Sequence, residues 1–468
     1  MKFCRDKNVP VFITGKEELS TEDITKLLFE SERFGSKYQT NKDYYFGNHK
    51  ILNRAYEDDG KPNNKVVVGY PKYITQVRTG YFSSSPLSLD SENKEFLKQM
   101  NNILDTNDFK KVFAELDTFS AIYGHSFLVM YIDENGEIIL VPQTPMDWIY
   151  VRSNDLLQTP KFAIRYYAWW DDIENQQMYD IELYTREEII NYEGSPMELK
   201  EIGRRPHYFG GLPVIEFCES ESRKGCFEDV ITLIDSYESI ISDSTNLIEY
   251  FSDCYLVLTG CEADEEDIAQ MKRNRVIVLP ENSNASFLMK NINETYNKNT
   301  LKSLQEDIFV VACCPLLSDS SFSSNSSGVA VSYKLFSMEK SVQNKENDFR
   351  KGFNMMFNMA RNILNLKGYK YTQEDKMIMT FTRSNPVNSL TEISDSISKL
   401  RGTVSNETLL SQLDFVTNVD LEKERLMREK EEDMEFQIKY MSQYDVELDH
   451  SMEIVDPKDE EDNNNFRE

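Results

Sequence analysis

The spacing of apolar and polar residues divides the chain into a helical start, a strand-rich middle and a helical remainder. In the start, apolar residues recur every three or four positions, which is the period of one helix face. Ser20 or Thr21 is a suitable N-cap for the first helix, because acidic residues follow in its first turn. Helices are therefore predicted within 17–60, 70–82, 96–104 and 109–124.

The middle of the chain alternates apolar and polar residues at every second position, as half-buried strands do. DENG at 133–136 is a turn sequence between two such stretches, so 126–153 is predicted to contain a β-hairpin. The alternation continues to about 193 and is followed by a loop at 203–213 and a strand at 212–217. We expect a mixed β region between the two helical parts.

A long helix is predicted from about 228 to 252, because residues along one stripe repeat at spacings of three and four: Ile234, Tyr237, Ile241, Ser244, Ile248 and Phe251. A compact insertion of short strands and one acidic helix follows at 254–296. The helix resumes at 300–311, and Pro315 ends it. The insertion is thus bracketed by two helices, and we expect it at the end of a helical pair.

The longest apolar stripe spans about 329–364 and predicts a helix of roughly 54 Å at 1.5 Å per residue. A helix of that length is too long to bury in one small domain and suits a spoke in a large assembly. A strand at 377–386 and a helical block at 389–442 complete the predicted elements. The acidic tail that follows has little to bury and is expected to be disordered.

Charge and cysteine content narrow the class of protein. The 468 residues include 52 basic and 80 acidic side chains and carry a net charge of −28, the reverse of the basic face that specific nucleic-acid binders present. Seven cysteines, an odd number without a CxxC pair, favour reduced thiols in a cytosolic protein. The longest apolar run, 308–317, is half a membrane span, so no transmembrane helix is expected.

The sequence motifs of common enzyme and metal sites are missing or incomplete. GxxxxGK[ST], GxSxG and HExxH do not occur, and the four histidines are scattered. SxxK at 91–94 and 337–340 is short enough to arise by chance. Four acids at 264–267 fit a helix N-terminus, where the dipole favours them, better than a two-metal cluster. We expect no catalytic residues, no cofactor and no metal ligands.

A serine-rich loop, SDSSFSSNSSG at 318–328, precedes the long helix. It is compatible with phosphate binding, with a catalytic serine, or with contact to something that moves past. The first lacks the lysine that a phosphate-binding loop requires, and the second lacks a nucleophile motif. A loop of Ser, Asn and Gly has little to bury and deforms easily. The composition therefore favours a mobile finger between two rigid helices.

The order of these elements resembles the portal proteins of tailed bacteriophages, in the branch typical of phages that infect Gram-positive bacteria. The resemblance runs over roughly 44–430 and is carried by YYFGNHKILNR, YPKYITQVRTGYFSSSPL, AIYGHSFLVMYIDENGEI, PVIEF, LIDSYESIISDSTNLIEYFSD, SSGVAVSYKL and SLTEISDSISKLRGTVSNETLLSQL. It implies an α+β, portal-type fold with long stem and wing helices, a mixed β wing region, a small α/β clip insertion and a helical crown.

The resemblance also implies a division of the chain into named parts: an N-terminal arm and wing (1–225), a first stem helix (226–253), a clip (254–297), a second stem helix (298–315), a tunnel loop (316–328), a long wing helix and strand (329–388), a crown (389–442) and a disordered acidic tail (443–468).

Two sets of site residues follow from the resemblance. The tunnel loop implies DNA-facing residues: Ser318, Asp319, Ser320, Ser321, Phe322, Ser323, Ser324, Asn325, Ser326, Ser327 and Gly328. The clip implies residues that dock a packaging motor or an adaptor: Cys254, Leu256, Asp264, Glu265, Glu266, Val278 and Phe287.

The function implied by the resemblance is that of a non-enzymatic subunit in a ring of about 12 copies at one capsid vertex. DNA would be packaged through the ring by a separate terminase motor and later ejected through it. The implied partners are the major capsid protein, scaffolding protein, the terminase large subunit, a head-completion adaptor, tail proteins and double-stranded DNA at low affinity, with no membrane. The protein would occur in the virion and, during assembly, in the host cytoplasm.

The acidic charge suits such a channel, because carboxylates would hold DNA off the wall within about 8 Å at physiological salt. The plainer explanation is that the charge aids solubility. Two other classes of protein remain open. One is a structural head or adaptor protein without a channel role, and the other is a packaging nuclease or motor component, which the missing motifs disfavour.

Overall fold

The computed structural model of the chain describes residues 2–3, 9–55, 62–251, 255–260, 264–274, 282–288, 294–317, 328–383, 398, 405–411 and 422–436. The chain forms two compact units, Met1–Val387 and Asn388–Glu468. The first unit combines helices with sheets, which confirms the predicted α+β class.

The described α-helices of the first unit are α1 (Thr21–Phe46), α2 (Tyr70–Ser83), α3 (Lys94–Thr106), α4 (Phe109–Tyr123), α5 (Ile231–Phe251), α6 (Glu265–Asn274), α7 (Glu294–Val311) and α8 (Gly328–Leu366). Short 3-10 turns lie at Lys50–Asn53, Pro145–Asp147 and Glu228–Val230. The helices predicted for the start of the chain, for 228–252 and for 329–364 are confirmed.

Local chemistry explains where α1 begins and where α1 and α4 end. Ser20 is the N-cap: its hydroxyl accepts a hydrogen bond from the amide of Asp23, whose carboxylate accepts one from the amide of Ser20. Gly47 and Gly124 end α1 and α4 with φ of +87° and +92°, a region that glycine enters without steric cost. Thr21 is the first helical residue rather than the cap.

The described strands are β1 (Lys2–Phe3), β2 (Phe12–Thr14), β3 (Ser88–Asp90), β4 (His125–Ile132), β5 (Ile138–Gln143), β6 (Trp148–Ser153), β7 (Pro160–Asp171), β8 (Gln176–Tyr184), β9 (Glu188–Ser195), β10 (Glu198–Pro206), β11 (Val214–Cys218), β12 (Tyr255–Thr259), β13 (Asn284–Leu288) and β14 (Ile378–Thr380). They form a seven-stranded sheet in the order β1-β2-β6-β7-β8-β9-β10, a three-stranded sheet β11-β4-β5, and the pairs β12-β13 and β14-β3. The predicted hairpin around 133–136 is confirmed by the antiparallel pairing of β4 with β5.

Two large apolar clusters hold the first unit together. One packs α8 against α2, α3, α4 and the three-stranded sheet, and the other packs α1 and α2 against the seven-stranded sheet, the start of α5 and the end of α7. The ring centres of Phe217 and Phe349 lie 4.9 Å apart within the first cluster. Gly352 is required there, because a Cβ atom at its position would come within 2.5 Å of the Phe217 ring.

Several element boundaries differ from the sequence prediction. The strand predicted at 377–386 covers only Ile378–Thr380 among the described residues, and the one predicted at 212–217 is Val214–Cys218. Residues 203–206 are not loop but the end of β10, where Gly203 lies at an irregularity in the pairing with β9. α7 begins at Glu294, before the predicted starts at 298 and 300. Gly328, predicted as the last residue of the serine-rich loop, is the first residue of α8.

Much of α8 packs against the rest of the first unit. It has 39 residues, about 58 Å at 1.5 Å per residue, and its apolar face is buried from Leu335 to Leu364. The first unit therefore covers most of this helix. Its role as a spoke in a large assembly stays a prediction, because the structure describes one copy of the chain.

The described part of the second unit is helical. It consists of α9 (Asn406–Ser411) and of α10 at 422–436, in which Arg425 pairs with Glu422 one turn away. The side chains of α10 are exposed from residue 424 onward. The tail predicted at 443–468 lies outside the described residues.

Candidate functional site

α5 and α7 form a helical pair that carries the insertion at its far end. Ile234 near the start of α5 shares an apolar cluster with Ile308 and Phe309 near the end of α7, so the two helices run in opposite directions. The residues between them include β12 and β13, which pair antiparallel with Leu256 opposite Phe287. The insertion therefore leaves the end of α5 and rejoins the start of α7, away from the Ile234 and Phe309 contact.

The predicted docking residues fall on three parts of this insertion. Asp264, Glu265 and Glu266 are exposed around the start of α6, and the Asp264 carboxylate accepts a hydrogen bond from the amide of Glu266. Leu256 and Phe287 are paired backbone positions of β12 and β13. Cys254 and Val278 lie outside the described residues.

Beyond its first turn, the buried side of α5 is polar. Ile234 is followed at intervals of four residues by Glu238, Ser242 and Asn246, all of them buried. The predicted stripe shares only Ile234 with the buried residues described on this helix, and its Ile248 is 68% exposed. The helix was therefore predicted correctly, but its buried side was not.

The polar side of α5 binds the backbone of the extended residues 64–68. The amides of Val68, Val66 and Asn64 donate hydrogen bonds to Glu238 Oε1 (2.8 Å), Ser242 Oγ (3.0 Å) and Asn246 Oδ1 (2.6 Å), in that order along the helix. Partly buried amides also need acceptors, and here helix side chains supply what a neighbouring strand would otherwise provide.

His49 is held between two acceptors in the same region. Its Nδ1 lies 2.5 Å from Glu238 Oε1, and its Nε2 lies 2.8 Å from the carbonyl oxygen of Tyr44. Only a doubly protonated ring can donate to both. Burial lowers the pKa of His49, but the bonds to Glu238 and Tyr44 and the charge of Glu238 outweigh it, and the pKa is raised above its ordinary value. Below that raised pKa the ring is an imidazolium that holds α5 to the end of α1.

We expect His49→Gln to destabilise the first unit more at about pH 6 than at about pH 9. A raised folded pKa means that the contact contributes fully below the ordinary histidine pKa of 6.5 and is lost as the pH rises through the folded value. Urea unfolding followed by tryptophan fluorescence would measure this.

His207→Gln is the matched control for that measurement, because burial lowers the pKa of His207 and gives the opposite pH dependence. An equal loss of stability for His49→Gln at both pH values would contradict a charged His49.

The serine-rich segment joins α7 to α8. After α7 the chain turns at Cys313, whose φ is +49°, and Pro315 follows. The predicted tunnel-loop residues Ser318 to Ser327 lie outside the described residues, and Gly328 begins α8. The structure therefore describes both flanks of this segment.

A buried cluster of charges connects four elements near these flanks. Lys345 of α8 forms ion pairs with Asp117 of α4 and with Glu219, and Glu219 also accepts a hydrogen bond of 2.7 Å from Arg78 of α2. All four side chains are less than a tenth exposed. Burial lowers the pKa of Lys345, but the two carboxylates outweigh it and the pKa is raised. The cluster fixes α8 to α2 and α4.

A second buried cluster surrounds Glu216 of β11. Its carboxylate accepts hydrogen bonds from Arg152 and Arg223 and lies 2.8 Å from Nδ1 of His125, whose Nε2 lies 2.7 Å from the hydroxyl of Tyr38. Burial lowers the pKa of His125. A neutral His125 donates to Glu216 and accepts from Tyr38, so the cluster is fully paired and joins the two sheets to α1.

The described residues contain no group of three or more His, Cys, Asp or Glu side chains placed to hold a metal ion. Among the described cysteines, Cys218, Cys226, Cys313 and Cys314 form no disulfide. No helix in the described ranges is both long and apolar enough to cross a membrane.

Sequence comparison places this architecture in a family. The family model described as "Phage portal protein, SPP1 Gp6-like" matches residues 25–435. That range covers most of the chain, including the helical pair, the insertion and the long helix. The chain belongs to this family of phage portal proteins, and the predicted resemblance is confirmed.

One relative in this family is the portal protein of Bacillus phage SPP1. It is 23% identical over 398 residues, which cover 81% of this chain and 79% of the relative. Among solved structures, a chain from the neck of an empty GTA particle covers 72% of this chain and 88% of its own length at 11% identity and a TM-score of 0.42. A chain from the neck of the native particle covers 72% and 86% at 12% identity and a TM-score of 0.39.

Proposed function

We propose that the chain is the subunit of a ring-shaped channel at one vertex of a phage capsid. DNA is packaged through this channel by a separate motor and leaves through it at ejection. The observation that carries the proposal is the match to the portal family over 25–435. The ring of about twelve copies is the family's expected assembly, and mass measurement of the purified protein tests it.

In this proposal α5 and α7 are the stem helices, and the insertion between them is the clip. The first 225 residues and α8 form the wing, and residues 389–442 form the crown. The order of elements supports the stem and clip assignment, because β12, α6 and β13 lie in the chain between α5 and α7.

The proposed partners are those of a capsid vertex. They are the major capsid and scaffolding proteins around the ring, the terminase large subunit and the head-completion adaptor at the clip, and DNA in the channel. The protein has no enzymatic role in this proposal, and the motor supplies the energy for packaging. It would occur in the virion and, during assembly, in the host cytoplasm.

The residues Ser318 to Ser327 are proposed to face the channel and to contact DNA transiently. They include one acid and no base, and uncharged hydroxyl and amide groups bond phosphate oxygens without the salt-dependent hold that lysines create. Replacing Ser324 and Asn325 together by lysine is expected to leave ring assembly intact and to reduce the number of DNA-filled capsids.

Glutamine at both positions is the uncharged control, and it should package as the wild type does. Filled capsids are counted in infections where the variant replaces the phage's own subunit. Normal packaging by rings that contain both lysines would mean that this segment does not face DNA.

The exposed acids at the start of α6 are proposed to dock a basic surface of the motor or the adaptor. Changing Asp264 to Asn and both Glu265 and Glu266 to Gln removes three charges and keeps the shape of the side chains. We expect rings of normal mass with weaker binding of the motor, measured by co-sedimentation at low salt.

The matched control removes three exposed acids of α10 instead: Glu431, Glu432 and Asp433. Equal binding by both variants would show that docking does not depend on the charge of α6.

A further inference from the structure

One face of α2 contacts the chain on both sides of the segment 318–327. On the α7 side, the hydroxyl of Tyr73 accepts a hydrogen bond of 2.8 Å from the amide of Leu317 and donates one of 3.4 Å to the carbonyl oxygen of Pro315. Its ring packs edge-on against Phe309, with the ring centres 5.6 Å apart. The last residues before the segment are thus bound to α2.

Arg78 connects the chain just after α7 with a point in α8 that lies 13 residues after Gly328. Its Nη1 donates to the carbonyl oxygen of Ala312 at 3.2 Å, just after α7, and its Nη2 donates to the hydroxyl of Ser341 in α8 at 2.8 Å. The guanidinium is 6% exposed and is also paired with Glu219. A buried, planar group with several donors holds its partners at fixed separations.

A third contact lies one turn further along α2. The hydroxyl of Tyr81 donates to Glu339 Oε2 of α8 at 2.7 Å. Residues 73, 77 and 81 follow one another at intervals of four and Arg78 is adjacent to them, so the contacts share one side of the helix. That side binds the end of α7 with its first half and the N-terminal part of α8 with its second half.

We propose that α2 is the positioning element of the channel segment, with Tyr73 and Arg78 as positioning residues for DNA passage. The inference rests on the proposed function, and it assigns a role in that function to a helix outside the stem, the clip and the segment itself. Of residues 318–327 only Phe322 is apolar, so the segment has little apolar surface with which to fix its own place. We infer that α2 fixes the chain before the segment directly, and the chain after it through α8, and that these two positions decide where the segment reaches.

Tyr73→Phe is the sharpest test, because it removes the two hydrogen bonds at the α7 flank and keeps the ring against Phe309. Tyr70→Phe is the matched control: it removes a hydroxyl on the same helix that accepts from Gln305 in α7, away from the flank. Arg78→Lys is the second variant, since it keeps the charge beside Glu219 and loses the multiple donors that reach Ala312 and Ser341.

Assembled rings of each variant are compared by hydrogen–deuterium exchange and by the number of DNA-filled capsids they support. For Tyr73→Phe we expect about fivefold faster exchange in peptides covering 312–317, because the variant loses about one net hydrogen bond. We also expect fewer filled capsids. Tyr70→Phe should package normally. Arg78→Lys should speed exchange in peptides that contain Ala312 and in those that contain Ser341. If Arg78→Lys rings fail to form, the Tyr73→Phe result by itself tests the inference.

Two results would overturn the inference. One is unchanged exchange at 312–317 in Tyr73→Phe rings, and the other is faster exchange with a normal number of filled capsids, which would leave α2 with a structural role only. A separate experiment tests whether residues 318–327 face DNA. If they do not, the variant with lysine at 324 and 325 packages normally. The exchange measurement on Tyr73→Phe rings does not depend on that result.

Discussion

Lys345→Met is expected to lower the free energy of unfolding of the first unit by about 3–5 kcal/mol. Lys345 is 3% exposed and pairs with two buried carboxylates, Asp117 and Glu219. Methionine fills a similar volume but leaves both acids without this counter-ion. Of the two, Glu219 retains Arg78, whereas Asp117 keeps only a hydrogen bond from Ser83.

Urea unfolding followed by tryptophan fluorescence measures this effect cleanly, because Trp148, Trp169 and Trp170 all lie in the first unit. Lys351→Met on the same helix is the control, since that side chain is exposed and its loss should cost less than about 0.5 kcal/mol. Equal stabilities for the two variants would show that the buried cluster contributes nothing that methionine cannot replace.

Gly124→Ala is expected to cost about 4 kcal/mol or more, while Gly47→Ala costs about 1–2 kcal/mol. Both glycines end a helix with a positive φ. At Gly47 no atom lies within 4 Å of an added Cβ, so only the backbone strain remains. At Gly124 the Cβ would lie 2.1 Å from the carbonyl oxygen of Arg223, which is backbone and has no rotamer to change.

The same unfolding experiment compares the two alanine variants. The larger loss at Gly124 has a further source, because its carbonyl oxygen accepts a hydrogen bond from the amide of Glu219. Displacing Gly124 therefore disturbs the loop that carries both Glu219 and Arg223. Similar losses at Gly47 and Gly124 would mean that the loop yields at little cost.

Elements that depend on local chemistry were predictable from the sequence. The cap at Ser20, the hairpin turn at 133–136 and the long apolar face of α8 depend on residues close together in the chain, and the structure has all three. β10 was missed because Gly203 and Pro206 indicate a loop, whereas Gly203 lies at a strand irregularity and Pro206 ends the strand.

The buried polar groups were not predictable, because their partners are distant in sequence. Lys345 and Glu219 are 126 residues apart, and Val68 and Glu238 are 170 apart. A lysine or glutamate on a helix normally indicates a solvated face. Only the folded chain shows that these side chains face inward, which is also why the polar side of α5 was not identified as the buried one. The channel segment and part of the insertion stay predictions, since they lie outside the described residues.

The hydrogen bonds between residues 64–68 and α5 depend on two nearly equal spacings. Two residues of extended chain advance about 6.6 Å and four residues of helix about 6.0 Å. Alternate amides therefore stay opposite every fourth helix residue for three positions, after which the two spacings no longer match. Shifting residues 64–68 by four helix residues towards the start of α5 would place the Val68 amide opposite Ile234, whose side chain has no acceptor. The three hydrogen bonds therefore disfavour that shift and position the chain that leads into α2 along α5.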